Sequence, residues 1–349
     1  MKDLSFRWTK LDPKADPSHK LGKPCPRSSH GVSWIEKFSK LIVYGGEAIA
    51  RTPIEHDQAT WSYDARKNQW HFIDSNPPPF RVAHAQAYHE ASSSVFIFGG
   101  RAGVMMQEQA MNDLWKLDCS QEPGKEVWSE IVPNFSANNC DPAPEPRSFH
   151  KMICIDDNLY VFGGCGSNGR MADMHRFDLN AKTWHNLGTS ILIKGRGGAT
   201  MLKLNEENEI GIVGGFDGDE SKDGHKFNVL NNKWCDHSMA PMLRQLRPRS
   251  VAIGATFSKF GICTIFGGEV DPSDKGHEGA GGFENDLVIL SAETGECMKT
   301  IKVQGDTPEE RGWSDGSVSD DRLFIFGGLT GNDENPKRLD DLWTLTVEK

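Results

Sequence analysis

The sequence predicts an all-β protein, a six-bladed β-propeller, on three observations. Six apolar runs each end in a Gly-Gly pair. The pairs recur at intervals of 54, 64, 51, 53 and 60 residues, and most are followed by a second strand, a polar turn and a Trp. Repetition at about 50 residues marks an architecture in which every unit adds one sheet to a common body. The 349 residues therefore do not require the two domains that ordinary globular sizes suggest.

The elements follow in chain order. The runs are LIVYGG (Gly45, Gly46), VFIFGG (Gly99, Gly100), LYVFGG (Gly163, Gly164), IGIVGG (Gly214, Gly215), CTIFGG (Gly267, Gly268) and LFIFGG (Gly327, Gly328). They are apolar without alternation, as strands covered on both faces are. The glycines stand where the chain turns and neighbouring backbones approach. Next come pairs such as Tyr63 and Trp70, Phe177 and Trp184, and Phe227 and Trp234, separated by Asn, Asp, Lys and Gly turns. Each unit is then a small antiparallel sheet, with Trp supplying area for packing one sheet on the next. The fifth unit carries Cys297-Met298 where the Trp is expected.

The last unit stops after Asp341-Leu-Trp-Thr-Leu without a fourth strand, while the first residues offer an unmatched strand, Phe6 to Leu11, with Trp8 at the missing Trp position. The N-terminal strand is expected to complete the C-terminal blade and so pair two open edges. No Pro/Gly/Ser-rich linker divides the repeats, which argues against two independent all-β domains. The expectation is one propeller over residues 1–349, its blade cores ending at Gly46, Gly100, Gly164, Gly215, Gly268 and Gly328, with residues 119–126 and 134–145 as local insertions.

Composition narrows the function classes. The net charge is −10 and no long basic run exists, so no nucleic-acid partner is expected. No run of about 18 apolar residues is present, so no membrane span is expected. The N-terminus lacks the apolar stretch of a signal peptide, which points to a cytoplasmic protein. Eight cysteines without a C-x-x-C pair read as reduced thiols and not as a disulfide framework.

Two constellations carry chemistry. An Arg opens the first strand of every repeat: Arg27, Arg81, Arg147, Arg196, Arg249 and Arg311. Such a ring either bonds neighbouring carbonyls and locks blades together or grips sulfate, phosphate or carboxylate. Arg101 stands apart from that ring, directly after the second Gly-Gly. The equivalent positions hold Glu47, Cys165, Phe216, Glu269 and Leu329, a variable set expected at one end of the ring, where propellers bind ligands. The fifth Gly-Gly opens into a Gly-rich loop in which Glu269 and His277 lie eight residues apart, with Asp271, Ser273 and Asp274 between. Carboxylate and imidazole donors suit ferrous iron or a similar divalent ion, and a polar surface loop is the competing reading.

The repeats resemble the kelch superfamily, and the whole chain resembles the plant specifier proteins. The resemblance runs from Arg27-Ser-Ser-His through Gly-Gly-Arg101, Arg196-Gly-Gly and Gly-Gly-Glu-Val (267–270) to Arg311-Gly-Trp313 and includes the loop ending Gly-His277-Glu-Gly-Ala-Gly. It implies action on the unstable aglucones that myrosinase releases from glucosinolates, diverting them from isothiocyanates to nitriles, epithionitriles or thiocyanates with Fe(II). The family motif Glu-x-x-x-Asp-x-x-x-His implies Glu269 and His277 as metal ligands, with Ser273 at the Asp position and Asp274 beside it. The resemblance also implies Arg101 on the substrate sulfate, aided by Arg147 or Arg196, and Trp313 shaping the pocket. The implied partner is a small anionic organosulfur substrate. The alternative is a non-catalytic kelch module that binds another small ligand or a protein. A sialidase would need Ser-x-Asp-x-Gly-x-x-Trp boxes, which are absent. Galactose-oxidase-like copper chemistry would need a Tyr–Cys centre, and three of the four tyrosines (Tyr44, Tyr63, Tyr88, Tyr160) occupy strand positions.

Overall fold

The structure, a computed structural model, describes residues 4–103, 108–134, 142–239, 243, 246–298 and 302–348. It is an all-β, six-bladed β-propeller, and among the described residues the α-helix is a single turn, His56–Ala59. The chain forms two compact units, residues 12–188 and residues 1–11 with 189–349.

The first unit holds three antiparallel four-stranded sheets. Blade 1 runs Gly31–Ile35, Lys40–Tyr44, Thr60–Asp64, Gln69–Phe72; blade 2 runs Ala85–His89, Ser94–Ala102, Gln109–Asp118, Val127–Val132; blade 3 runs Lys151–Ile155, Asn158–Gly166, Gly169–Asp178, Thr183–Thr189. The second strand of each is the apolar Gly-Gly run, and it is buried on both faces as its lack of alternation implies. The repeat Trp sets the outer register, with Trp70 opposite Tyr63 and Trp128 opposite Leu117. The Trp of one blade then packs on the residue before Gly-Gly of the preceding blade. Trp128 meets Tyr44 at 4.9 Å between ring centroids, and Trp184 meets Phe98 at 4.9 Å. The insertion 119–126 is tied to blade 1 by Lys40, whose Nζ donates to Glu126 Oε1 at 2.7 Å and to the Gln121 carbonyl at 2.8 Å. Most of the insertion expected over 134–145 lies outside the described residues.

The second unit holds blade 4 (Thr200–Leu204, Glu209–Val213, Gly224–Asn228, Lys233–Ser238), blade 5 (Ile253–Phe257, Ile262–Phe266, Leu287–Ser291) and blade 6. Blade 6 is closed as the sequence predicts. Ser5–Leu11 pairs antiparallel with Asn335–Glu348, placing Trp8 opposite Leu345. Trp8 is buried and meets Phe266 of blade 5 at 4.7 Å, the contact that the Trp of a regular repeat makes. A fifth strand in this sheet was not legible in the sequence: Lys302–Gln304 adds parallel to the outside of Ser5–Leu11. It is the counterpart of the irregular fifth repeat. Without a Trp at 297–298 the expected fourth strand of blade 5 shrinks to one bridge, Leu290 with Cys297, and the chain further on pairs with the N-terminal strand.

The arginine ring is part of this architecture. In all six blades Nη1 donates to the carbonyl of the first glycine of the same blade's pair, at 2.9–3.1 Å. In five blades the guanidinium also forks onto an aspartate: Arg81 on Asp113, Arg147 on Asp173, Arg196 on Asp223, Arg249 on Asp286 and Arg311 on Asp341. Arg27 instead donates to the carbonyls of Cys25, Gly45, Gln58 and Ala59. The backbone carbonyl of the same Arg accepts the N–H of the preceding blade's second glycine: Gly46 to Arg81 (3.0 Å), Gly100 to Arg147 (2.9 Å), Gly215 to Arg249 (2.8 Å) and Gly268 to Arg311 (2.8 Å). A Cβ on Gly267 would stand 2.5 Å from the Arg311 carbonyl oxygen, which is why glycine occupies that place. Each Arg thus closes its own blade, and Arg81, Arg147, Arg249 and Arg311 also hold the preceding one, as staples.

Candidate functional site

Two residues after each Arg the backbone turns left-handed, at Ser29, Ala83, Phe149, Gly198, Val251 and Trp313, with φ between 47° and 63°. A non-glycine residue there costs about 1–2 kcal/mol. The turn aims the N–H at the equivalent residue of the preceding blade: Ala83 to Ser29 (2.9 Å), Phe149 to Ala83 (2.9 Å), Val251 to Gly198 (2.8 Å) and Trp313 to Val251 (3.1 Å). Between the Arg and this residue stands one that bridges to the position after Gly-Gly. The pairs are Ser28–Glu47, Val82–Arg101, Ser148–Cys165, Gly197–Phe216, Ser250–Glu269 and Gly312–Leu329. The six variable positions therefore share one register, each bridged to the first strand of its own blade.

In the first unit this register brings Arg101 onto Phe149, with the guanidinium carbon 4.8 Å from the ring centroid. Arg101 Nη1 lies 3.3 Å from Glu108 Oε2, and the same oxygen accepts from Arg51 Nη1 at 2.9 Å. Glu47 accepts the Arg51 backbone N–H at 2.8 Å and the Ser28 hydroxyl at 3.4 Å. The Arg101 side chain is only 14% exposed, yet its Nε and Nη2 have no hydrogen-bond partner among the described residues, and neither has Glu108 Oε1. Burial lowers the Arg101 pKa, with Glu108 and Glu47 opposing the shift. Donors held this way suit an oxyanion, because each lacks a partner that the protein itself would supply.

In the second unit the same register places Trp313 against His277, with centroids 5.0 Å apart and rings near perpendicular. Glu269 is buried opposite Phe283, and Oε1 accepts the Gly281 N–H at 3.3 Å. Burial raises its pKa to about 7. Glu220, from the loop after the fourth Gly-Gly, accepts the Ser250 hydroxyl at 3.0 Å, and its Oε2 has no partner among the described residues. Burial, followed by the charges of Glu269 and Asp271, pushes Glu220 up to about 8.

The metal motif does not converge. The Ser273 hydroxyl donates to Asp333, and the backbone N–H groups of Asp274 and Ala280 donate to the same carboxylate at 3.2 and 3.0 Å. Asp333, from the hairpin tip of blade 6, thus organises the loop by taking the bond that a ligand at position 273 would give a metal. Asp274 is exposed. Among the described residues no three His, Cys, Asp or Glu side chains gather to hold an ion, so the donors present do not fit iron. Arg147 and Arg196 are almost fully buried, each closed in its staple with Asp173 or Asp223. Sequence reasoning did not single out Phe149, Arg51, Glu108, Glu220 or Asp333. Phe149 carried a signal, since it and Trp313 are the two aromatic residues at the left-handed position. The others come from loops of unequal length, whose meeting points no repeat register gives.

Comparisons with known proteins agree with the fold and narrow the family. Over 99% of this chain and 98% of its own length, N-(sulfonatooxy)prop-2-enimidothioate sulfolyase of Thlaspi arvense is 24% identical. An F-box/kelch-repeat protein of Arabidopsis thaliana is 27% identical over 64% of the chain, and Adagio-like protein 3 of Oryza sativa subsp. japonica 26% over 84%. The chain spans under half the length of those two relatives. The solved structure of YjhT covers 94% of this chain and 99% of its own with a TM-score of 0.70 at 16% identity, a likeness of fold alone. No helix among the described residues is long and apolar enough to cross a membrane. The model of the KLHDC2/KLHL20/DRC7 Kelch-repeats domain matches residues 52–268, well over half of the sequence, and with its six Gly-Gly blades the chain belongs to the kelch-repeat family.

Proposed function

We propose that the chain binds a small organic molecule carrying a sulfate group at Arg101 and acts on it as a sulfolyase of the specifier type. The observation that carries this reading is the half-bare guanidinium of Arg101, buried on Phe149 with Nε and Nη2 lacking partners among the described residues. The sulfolyase from Thlaspi arvense, similar over nearly the whole chain, supports the substrate class. Loss of sulfate from an N-sulfonatooxy imidothioate breaks the N–O bond, whose electron pair leaves on the sulfate, while the C–S bonding pair closes a C≡N triple bond and the sulfur departs as neutral sulfur. A guanidinium that bonds the sulfate oxygens stabilises the charge building there, and little water reaches it to compete. Phe149 offers a flat apolar face to the carbon–nitrogen part of the substrate. A reducing cytoplasm suits the seven described cysteines, all of them free.

The test is product distribution. The protein is incubated with myrosinase and allyl glucosinolate, with and without Fe(II), and isothiocyanate is measured against nitrile-class products. The wild type is expected to divert product from isothiocyanate, and Arg101→Ala to lose roughly 10–100-fold of that diversion, the worth of a charge-assisted contact. An unchanged ratio in both iron arms overturns the reading. The alternative, a kelch module that binds without turnover, is favoured by the Ser273–Asp333 bond, which occupies the residue at the motif's middle position. A stoichiometric protein partner recovered by pull-down, with no diversion of product, would select it.

A further inference from the structure

The geometry points to Arg51 as the second guanidinium of a two-arginine clamp for a sulfate group, in which Glu108 is a resident anion that the ligand displaces. This rests on the anion reading of Arg101 and adds to it a partner and a gate.

The five Arg–Asp staples show what a finished arginine–carboxylate pair looks like in this molecule. There both oxygens meet two nitrogens of one guanidinium in a fork, as in Arg81 with Asp113 at 2.7 and 2.8 Å. Glu108 is bonded otherwise. One oxygen, Oε2, is shared by Arg51 at 2.9 Å and Arg101 at 3.3 Å, while the buried Oε1 has no partner among the described residues. Two cations on one oxygen hold the carboxylate by charge and satisfy few of its lone pairs. Nε and Nη2 of Arg101 stay unused behind it. A carboxylate offers two oxygens and one charge. A sulfate group offers three or four oxygens, enough to meet the unused edge of Arg101 and the Nη1 of Arg51 together.

The supporting residues are built to keep Arg51 in place. Its φ of 57° lies in the left-handed region, and Glu47 fixes its N–H at 2.8 Å. Glu47 is itself buried in the register position of blade 1 equivalent to that of Arg101 in blade 2. Arg51 and Arg101 are balanced by Glu47 and Glu108, so moving the Glu108 carboxylate aside leaves an excess positive charge for an arriving anion.

The probe is inorganic sulfate, titrated by calorimetry in chloride buffer of constant ionic strength against wild type, Glu108→Gln, Arg51→Gln and Arg101→Gln. Thermal midpoints without sulfate serve as the folding control. Glu108→Gln is expected to tighten sulfate about tenfold and Arg51→Gln to weaken it about tenfold, one charge-assisted contact each way. Weaker or equal binding by Glu108→Gln with an unshifted thermal midpoint overturns the displacement. Equal binding by Arg51→Gln overturns the clamp, and if Arg101→Gln still loses sulfate the Arg101 reading survives. Conversely, a clamp obeyed by sulfate beside an unchanged product ratio refutes the sulfolyase activity and leaves the anion site standing.

Discussion

Asp113→Asn removes one charge from the staple of blade 2 and keeps the shape of the side chain. Arg81 is fully buried beside it, and Asp113 is 3% exposed. With the carboxylate gone, a guanidinium is left uncompensated where water does not reach, which costs about 3–5 kcal/mol. The other four staples repeat the chemistry with growing access to water: Asp341 is 14% exposed, Asp173 22%, Asp223 32% and Asp286 43%. At Asp286 solvent can replace much of what the carboxylate gives Arg249, so Asp286→Asn should cost about 1 kcal/mol or less. Two comparisons pair like with like, with one extra contact at Asp223, which also accepts the Ser221 hydroxyl at 2.6 Å. Asp113 and Asp341 each accept a Trp indole N–H, from Trp115 at 2.8 Å and Trp343 at 2.7 Å. Asp173 and Asp223 each bond a His, His175 at 2.8 Å and His225 at 3.2 Å. The assay is urea unfolding followed by tryptophan fluorescence, with the loss taken from the shift in midpoint at unchanged slope. The losses should fall from Asp113 to Asp341, from Asp173 to Asp223, and be least at Asp286. Equal losses at Asp113 and Asp286 would refute the account of the ring as staples whose worth is set by desolvation.

Two further outcomes are expected. Trp8→Ala should destabilise by about 3–5 kcal/mol, because it empties a buried position and removes the aromatic contact of the closing strand with Phe266 of blade 5; a loss below about 1 kcal/mol in thermal or urea unfolding would mean that the N-terminal strand does not close the blade. Glu220 has its folded pKa raised, to about 8 from an ordinary value near 4.5, so its contribution to stability is full below the unfolded value and is lost as pH rises through about 8. Glu220→Gln should therefore flatten the fall in thermal midpoint between pH 5 and pH 9, by roughly 1–3 kcal/mol at the alkaline end, and an unaltered slope would remove the buried carboxyl from the explanation.

The sequence by itself determined the six blades and the manner of their closure. Gly-Gly after an apolar run is a local requirement: the strand must be covered on both faces, and a side chain on the glycine would strike the next blade's Arg carbonyl, as Gly267 against Arg311 shows. Trp8 was legible because the repeat assigns it a slot, Arg101 because register sets it apart, and Trp313 only through the family resemblance. The tertiary structure alone decided what the arginine ring does, since the aspartates that fork onto it lie 26–37 residues further along the chain at spacings that vary with loop length. It alone decided that Ser273 turns to Asp333, that Glu220 faces Ser250 and Glu269, and that Arg51 and Arg101 share Glu108. Periodicity fixes strands because their neighbours recur at constant register; the loops that carry charge have no period, so which side chains meet there is settled only when the blades are packed.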